Sequence, residues 1–488
     1  MIRKVSILIV ISISLFSLQA MAENAVIKNP SGGQPPIGSK QLANDLEYQV
    51  YYQRAFEAVV WAVPALAIHR LREGFMQLPG VEDNVVIAFS GPAVSKHKAI
   101  TSNAATPYIT AYTDLRKGPV VLEVPAKTEK ASLYGQVVDA WQSTIADVGP
   151  SGLDKGEGGK YLFIPPNYDK AVPVGYIPVQ STTYRISLVF RSIRGQQATD
   201  QDAYEYTQTM KMYYLSEAGT QRSTTFVDGL QYPLYTLPFY DIRALEDLHE
   251  IISVEPVKVQ DKVMMGMLEG IGIAVDRPFT PSTAQKEAME QGVIDAYHYI
   301  QNLAQRHHEQ NIYWPDRHWS FVMVPDNKGG FDYVTDTAVK VDKRAAAWSF
   351  FTLYPAKLSE KPATVYLAPI KDSKGQPLQA GKIYKINVPK DIPAQQFWSV
   401  TVYDAATWAF LDNPVGRSGL GSFNQVQLKT NSDGSVDVYF GPKAPEGKES
   451  NWIPTMGKKP YVWLRLYGPG ETFWDKSFKM SDVELITQ

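Results

Sequence analysis

Apolar and polar positions change their period three times along this chain, and each change marks a change of element. Over residues 41–75 the stretch EYQVYYQRAFEAVVWAVPALAIHRLREGF repeats apolar residues at helical spacing, with Pro64 the expected kink or break. From Val85 the period shortens. VVIAF, YITAYTDL, VVLEVP, YGQVVDAW, KYLFIPP and YRISLVFRS are short runs of strand character divided by turn residues. From Ala198 to about Asn311 the spacing is helical again. It is clearest in STAQKEAMEQGVIDAYHYIQNLAQRHHEQN, where Ser282 and Gln285 form a capping box. Met289, Val293, Ala296, Ile300 and Leu303 make one apolar stripe there. Strand signals return from Tyr313 to the end.

The two strand-rich stretches repeat one another in order. FWSVTVYDAATWAFLDNP at 397–414 has a fainter copy, LYGQVVDAWQSTIADVGP, at 133–150. VVLEVP at Val120 matches YKINVP at Tyr384, an offset of 384 − 120 = 264, and Asp139 matches Asp404 at 265. Pro165 matches Pro442 at 277, Pro178 matches Pro454 at 276, and Tyr184 matches Tyr461 at 277. The order predicts two tandem, related β modules, a duplication bridged by helices. Sandwich or jelly-roll topology is expected over a closed barrel, because the strands are many, short and unevenly spaced. The fold class is therefore mainly β with helical segments (α+β). The expected organisation is an export signal at 1–22, a Gly/Pro linker at 23–41 and a helical segment at 42–78. A first β module at 79–197, a helical connection at 198–312 and a second β module at 313–488 complete it.

Composition narrows the class. The 488 residues are 44% hydrophobic and 20% charged, values of a globular chain long enough for two or three domains. A formal net charge of −2 carries no polybasic footprint, so nucleic acid is not an expected partner. Arg3 and Lys4, an apolar run from Val5 to Leu18, and Ala20-Met21-Ala22 read as a cleavable export signal. Its removal takes two positive charges, giving −2 − 2 = −4, and no later apolar run is long enough to insert in a membrane. A periplasmic or secreted location is expected. The absence of cysteine excludes disulfides, a thiol nucleophile and thiolate metal sites. Aromatics at 12%, 28 of them Tyr and 10 Trp, suit strand-rich domains and sugar-stacking surfaces alike.

Familiar catalytic signatures are missing. GRSGLGS has its glycines misplaced for a nucleophile elbow. Ser95 and Lys98 fit a Ser-x-x-Lys spacing, yet their flanks read as strand and loop where a helix start is required. Gly266, Gly270 and Gly272 end a helix rather than cradle a dinucleotide. The seven histidines are scattered or, at His307 and His308, close a helix, where dipole or packing roles are read. A polar-face or dipole role is read for His69. No metal site and no cofactor are implied. Asp139 and Asp404 stand at equivalent positions, as a glycosidase pair or, in the preferred reading, as caps of turn amides.

The polar residues that stand out lie among aromatics. In YVWLRLY, strand alternation puts Val462, Leu464 and Leu466 on one side and Trp463, Arg465 and Tyr467 on the other. An arginine between aromatics can present its fork to a carboxylate or phosphate, or serve a structural ion pair. Tyr403, Arg417, Asn451 and Trp452 accompany it in the second module, Asn451 and Trp452 equally readable as a loop anchor. The first module offers Arg185 or Arg191.

SNAATPYITAYTDLRKGPVVLEVP, LYGQVVDAW and FRSIRGQQATD resemble the domain of unknown function 1254. FWSVTVYDA, NSDGSVDVYFGPKAP, NWIP and LRLYGP resemble the domain of unknown function 1214, and together they cover nearly all of the chain after the signal. The first family's loop usually reads Asn-x-Asp-Thr-x-Tyr. Asn103, Thr106 and Tyr108 fit it, while Ala105 stands at the acidic position. The resemblance implies a fold and little chemistry.

The expectation is a polar or anionic small molecule or glycan bound in a cleft of the β modules. Asn103, Thr106, Tyr108, Arg191, Asn451, Trp452 and Tyr467 are the binding candidates. A hydrolase or lyase would use Arg417 and Arg465 to neutralise a substrate carboxylate and Tyr403 to pass the proton. The alternative is a non-catalytic periplasmic envelope or interaction scaffold.

Overall fold

Each strand-rich stretch folds as two facing sheets, because alternate residues on both are apolar and must be covered. The computed structural model describes residues 43–486 apart from 196, 221–222 and 423–427. The export signal and linker read from the sequence lie outside the described residues.

The first module opens with β1 (Val86–Ala88), β2 (Tyr108–Asp114), β3 (Val120–Val124), β4 (Ala131–Asp139) and β5 (Thr144–Val148). It continues with β6 (Gly159–Ile164), β7 (Ile177–Gln180), β8 (Arg185–Arg194), β9 (Lys211–Tyr214) and β10 (Phe226–Asp228). One sheet has six strands in the order β10-β1-β2-β8-β4-β5, and the other four in the order β9-β3-β6-β7. In the second module the strands are β11 (Trp319–Phe321), β12 (Thr364–Pro369), β13 (Tyr384–Val388), β14 (Ala394–Asp404) and β15 (Gly419–Gly421). β16 (Val436–Gly441), β17 (Trp452–Pro454), β18 (Pro460–Pro469) and β19 (Glu484–Leu485) follow. Their sheets run β11-β12-β18-β14-β15 and β19-β13-β16-β17.

Strand for strand, the two modules have the same connectivity. Each large sheet is antiparallel through its shared strands. In both small sheets the last pair, β6 with β7 and β16 with β17, is parallel. The added β10 is the main difference. Pairing also corrects two sequence landmarks. Leu122 faces Tyr161 as Ile386 faces Val438, so offsets of 264 and 277 hold in the strands. Leu162 faces Pro178, however, as Tyr439 faces Trp452, an offset of 452 − 178 = 274. Tyr134 faces Arg191 as Ser399 faces Arg465, again 274 in the last strand. The Pro178/Pro454 and Tyr184/Tyr461 matches are thus two and three residues out of register. The connection after β16 is three residues shorter than its counterpart, 277 − 274, and pairing rather than shared residue type fixes a register.

Among the described residues there are seven α-helices: α1 (Ala43–Met76), α2 (Asp200–Thr207), α3 (Arg243–Val254), α4 (Lys262–Glu269), α5 (Thr283–Gln310), α6 (Val341–Ser349) and the single-turn α7 (Glu471–Trp474). α5 begins as its sequence predicts. Ser282 Oγ accepts from the Gln285 amide, and Gln285 Oε1 accepts from the Ser282 amide at 2.9 Å. Its apolar stripe is buried throughout. Of the kink or break expected at Pro64, the break is absent: α1 runs through it. Two carbonyls beside it take side-chain donors instead: Arg344 Nη2 bonds Trp61 O and Gln142 Nε2 bonds Pro64 O, both at 2.8 Å. Strands β9 and β10 lie inside the stretch read as helical, because their four and three residues are too short to set a period.

Three cores result. Val86, Leu122, Val137, Phe163 and Leu188 fill the first sandwich, and Val365, Ile386, Val400, Phe440, Leu464 and Leu466 the second. The third joins α1, α3, α5 and α6 to the outer face of the five-stranded sheet, where Tyr366, Tyr403 and Trp463 stand. β18 therefore has apolar cores on both faces, and Arg465 sits between them.

Candidate functional site

Shared strand order gives each large sheet a central strand with one arginine at the same register. Arg191 on β8 faces Tyr108 on β2 and Tyr134 on β4; Arg465 on β18 faces Tyr366 on β12 and Ser399 on β14. The cross-strand Arg–Tyr pair is conserved in geometry: the guanidinium carbon is 5.7 Å from the Tyr108 ring centroid in one module and 5.5 Å from that of Tyr366 in the other. Arg465 lies also 5.0 Å from the Trp463 ring and 5.9 Å from that of Tyr403.

The two arginines share the phenols of Tyr108, Tyr366 and Tyr467 across the seam between the modules. The phenols of Tyr366 and Tyr467, from the second module, lie close enough to Arg191 to act on its charge. Arg465 donates through Nη1 to Thr401 Oγ1 at 2.6 Å and through Nη2 to Tyr403 and the Thr101 carbonyl at 3.2 Å. Asn103 completes the join. Its Nδ2 donates to Thr106 Oγ1 at 3.2 Å and to Tyr467 at 2.9 Å, and its Oδ1 accepts from the Ala105 amide at 2.8 Å. The Asn103 amide donates to Tyr108 at 2.8 Å, and Tyr403 donates to the Ser102 carbonyl at 2.7 Å. The loop before β2 is thereby stitched to the outer face of β14 and β18.

Electrostatics set this cluster apart. Burial pulls both guanidinium groups down, but the surrounding phenols outweigh it and hold Arg191 and Arg465 above the ordinary arginine value. Among the described residues, no carboxylate makes an ion pair with either arginine, and the groups that act most on both charges are phenols. Burial pushes Tyr467 up to about 12, partly offset by Arg465. It also drives Tyr403 well up, with Arg465 again opposing. Arg465 is 1% exposed, and its Nε and the facing Ser399 Oγ have no hydrogen-bond partner. Buried polar atoms in that state mark room for water or a ligand atom. Arg191 and Tyr108 are half-buried, so the cluster opens on the first module's side. A cavity of about 50 Å³ adjoins it, with Tyr108 and Ser102 on a wall that is otherwise largely apolar.

Tyr403, Arg465, Asn103, Thr106, Tyr108, Arg191 and Tyr467 thus come together in one cluster. Arg417, Asn451 and Trp452 lie apart from it. Arg417 Nη1 donates to the carbonyls of Glu449 and Trp452, each at 2.8 Å, which ties it to that loop rather than to the cluster. Asn451 binds the Lys429 amide and the carbonyls of Lys429 and Asp437, as a loop anchor does. Tyr366, Ser399 and Thr401 are members that sequence reasoning missed. The signal for Tyr366 was its equivalence to Tyr108 in the repeat, which register alone reveals.

The remaining candidates fall to structural roles. Asp139 Oδ1 accepts from the Trp141 and Ser143 amides, and Asp404 Oδ1 from the Ala406 amide, so both cap the turn that follows their strand. Ser95 Oγ donates to Asp412 while Lys98 Nζ binds the Phe410 carbonyl at 2.7 Å, on loop and strand rather than a helix start. His308 is buried between Ser320 and Tyr461 and pushed down to about 3 by burial. It is neutral, so its role is packing and not dipole compensation. Among the described residues, His69, Glu73 and Glu250 bring possible metal-ligand atoms within 4.8 Å of one another. Arg72 pairs with Glu73 and Arg185 with Glu250, so these carboxylates are already neutralised.

Comparison with known proteins agrees with the architecture. Residues 84–214 match the family described as Protein of unknown function (DUF1254), and residues 363–471 that described as Protein of unknown function (DUF1214), in the order expected. The VPA0106 protein from Vibrio parahaemolyticus has a similar structure at 16% identity, with 90% of this chain and 100% of that chain covered and a TM-score of 0.51. An uncharacterized protein from Burkholderia cenocepacia aligns at 10% identity over 91% of this chain and 96% of its own, with a TM-score of 0.38. No curated protein matches the chain.

Proposed function

We propose that this protein is an exported, non-catalytic binder of a small anionic molecule, held at the seam between its β modules by Arg191 and Arg465. A carboxylate-bearing ligand, such as a uronate or another small organic acid, would take the half-buried Arg191 guanidinium as its fork, with the unpartnered Arg465 Nε as a further donor. The single observation that carries the reading is two buried or half-buried arginines, at equivalent positions, surrounded by phenols and, among the described residues, paired with no carboxylate. Burying a cation is costly unless an anion or strong acceptors compensate, and the unpartnered Arg465 Nε is not fully compensated. A ligand anion supplies that acceptor.

Binding is favoured over turnover by the state of Tyr403. Its hydroxyl already gives its proton to the Ser102 carbonyl and accepts from Arg465, and burial raises it far above neutrality. A phenol so engaged neither takes nor releases a proton readily. The export signal read from the sequence supports a periplasmic or extracellular location for this binder.

Thermal-shift and calorimetric titration with galacturonate, glucuronate, succinate, acetate and phosphate tests the reading. Saturable stabilisation by a member of the panel is expected, and Arg191→Gln should weaken it by about tenfold to a hundredfold, the loss of a charged hydrogen bond. Binding left unchanged in folded Arg191→Gln, or no response to any anion of the panel, would overturn it.

A further inference from the structure

A second cavity, of about 260 Å³, lies where the turn after β4, the α3–α4 connection and α6 converge. It shares no residue with the arginine cluster and rests on different chemistry. Trp141 is half-buried on its wall, with its ring packed at 4.6 Å centroid distance on the buried Trp61. The cavity also meets Lys258, Asp261, Asp332 and Arg344. Two cations thus face two carboxylates, and the wall asks for no net charge in whatever occupies it.

The buried pair within it is incomplete. Arg344 is 7% exposed and Asp261 6%. Arg344 spends Nη2 on the Trp61 carbonyl at 2.8 Å, while its buried Nε has no partner. Asp261 accepts from Trp61 Nε1 at 3.3 Å. Arg344 and Asp261 feel each other's charge, yet they make no ion-pair contact within 4.0 Å. A strong donor and a strong acceptor therefore line one cavity without closing on each other. A hydroxyl group satisfies both at once, since it accepts from the guanidinium and donates to the carboxylate. Asp332 and Lys258 at the rim repeat the acceptor-and-donor pairing, with Ser143 Oγ donating to Asp332 at 2.7 Å and Lys258 Nζ 3.2 Å from Asp139.

We infer that this cavity binds an uncharged, polyhydroxylated ring of monosaccharide size, stacked on Trp141 with its hydroxyls bridging Arg344 and Asp261. An aromatic platform beside a few fixed polar groups is the usual construction of a small-molecule site, and a volume just under the ~300 Å³ of the smaller drug sites admits one ring. An anion is disfavoured by Asp261 and Asp332, and a cation by Arg344 and Lys258.

The test uses the full chain with glucose, galactose, mannose, N-acetylglucosamine and myo-inositol. Saturation-transfer NMR and tryptophan fluorescence are the readouts. One or more of these should give a saturable signal from ring protons. Trp141→Ala should abolish that transfer and weaken affinity by at least about tenfold. Asp332→Ala, a change at an exposed rim position that leaves the core untouched, should weaken it less and keeps the test decisive if Trp141→Ala misfolds. No saturable signal with any of these compounds, unchanged affinity in the folded variants, or binding here of anions alone would overturn the inference.

Discussion

Arg465 shows how a buried charge is tolerated without an opposite charge. Its donors go to a threonine hydroxyl, a phenol and backbone carbonyls, all neutral acceptors with dipoles aimed at it. His97 and His308, also buried, take the other course and stay neutral. Burial, with Lys96 adding to it, pushes His97 down to about 4, and burial pushes His308 to about 3. In the unfolded chain both titrate near 6.5. Their folded values are depressed, so the unfolded state binds more protons as pH falls below 6.5, and stability is lost from there towards pH 4. Each contributes up to about 1.4 kcal/mol per pH unit in that window. Glu255 acts in the opposite sense. Burial raises it to about 7, and the stability it lends below its unfolded value is lost as pH rises through 7. His97→Asn keeps an acceptor for the Val94 amide, which His97 Nδ1 now serves. Urea unfolding between pH 5 and 7 should show a smaller rise of stability with pH in that variant than in the parent. An identical slope would mean that His97 is protonated in the folded state. None of this was legible in sequence, where His97 and His308 differ from any surface histidine only in the strand and helix that hold them.

At the scale of elements, sequence pattern succeeded where a period had room to declare itself. α5 has 28 residues, a reciprocal cap and an uninterrupted stripe, and it folds as read. Alternation in β18 correctly divided Leu464 and Leu466, in the sandwich core, from Trp463, in the helical core. Pro64 leaves α1 unbroken, and the neighbouring Trp61 and Pro64 carbonyls take side-chain donors from α6 and from the turn after β4, which are remote in sequence. Gly292, inside α5, is a further case. A Cβ there would lie 2.4 Å from the Tyr52 carbonyl of α1, so the glycine sets how closely the two helices approach. Gly→Ala in an exposed helix interior stabilises by about 1 kcal/mol. Here the sign should reverse, with Gly292→Ala lowering stability by about 1–3 kcal/mol as the helices are forced apart. The urea midpoint decides it, and a stabilised variant would show that the contact is loose.

Shared strand order explains why the arginine cluster exists where it does. Two sheets of the same connectivity bring the same register position to a common seam, so each module contributes one cross-strand Arg–Tyr pair. This much of the site was legible, because Arg465 and the loop holding Asn103, Thr106 and Tyr108 stood out in their own modules. Their meeting was not, since only the packing of one module on the other joins Asn103 to Tyr467. The same packing has an energetic consequence. The third core draws Ala93 and Ile100 from the first module, Tyr366, Tyr403 and Trp463 from the second, and apolar residues from α1, α3, α5 and α6. Each large side chain buried there is worth about 1.5–3 kcal/mol. Separating the modules would expose that surface and strip Arg465 of its bonds to the Thr101 and Ser102 carbonyls. Neither sandwich can then unfold while the other keeps its outer face covered. Calorimetry should accordingly show one cooperative transition for residues 48–488, with calorimetric and van't Hoff enthalpies equal. A chain cut within the connection between α2 and α3 should yield fragments that fold only on mixing. Two resolved transitions, or a first module that folds alone with native stability, would show that the seam is a loose contact, and a binding site built across it would lose its rigid frame.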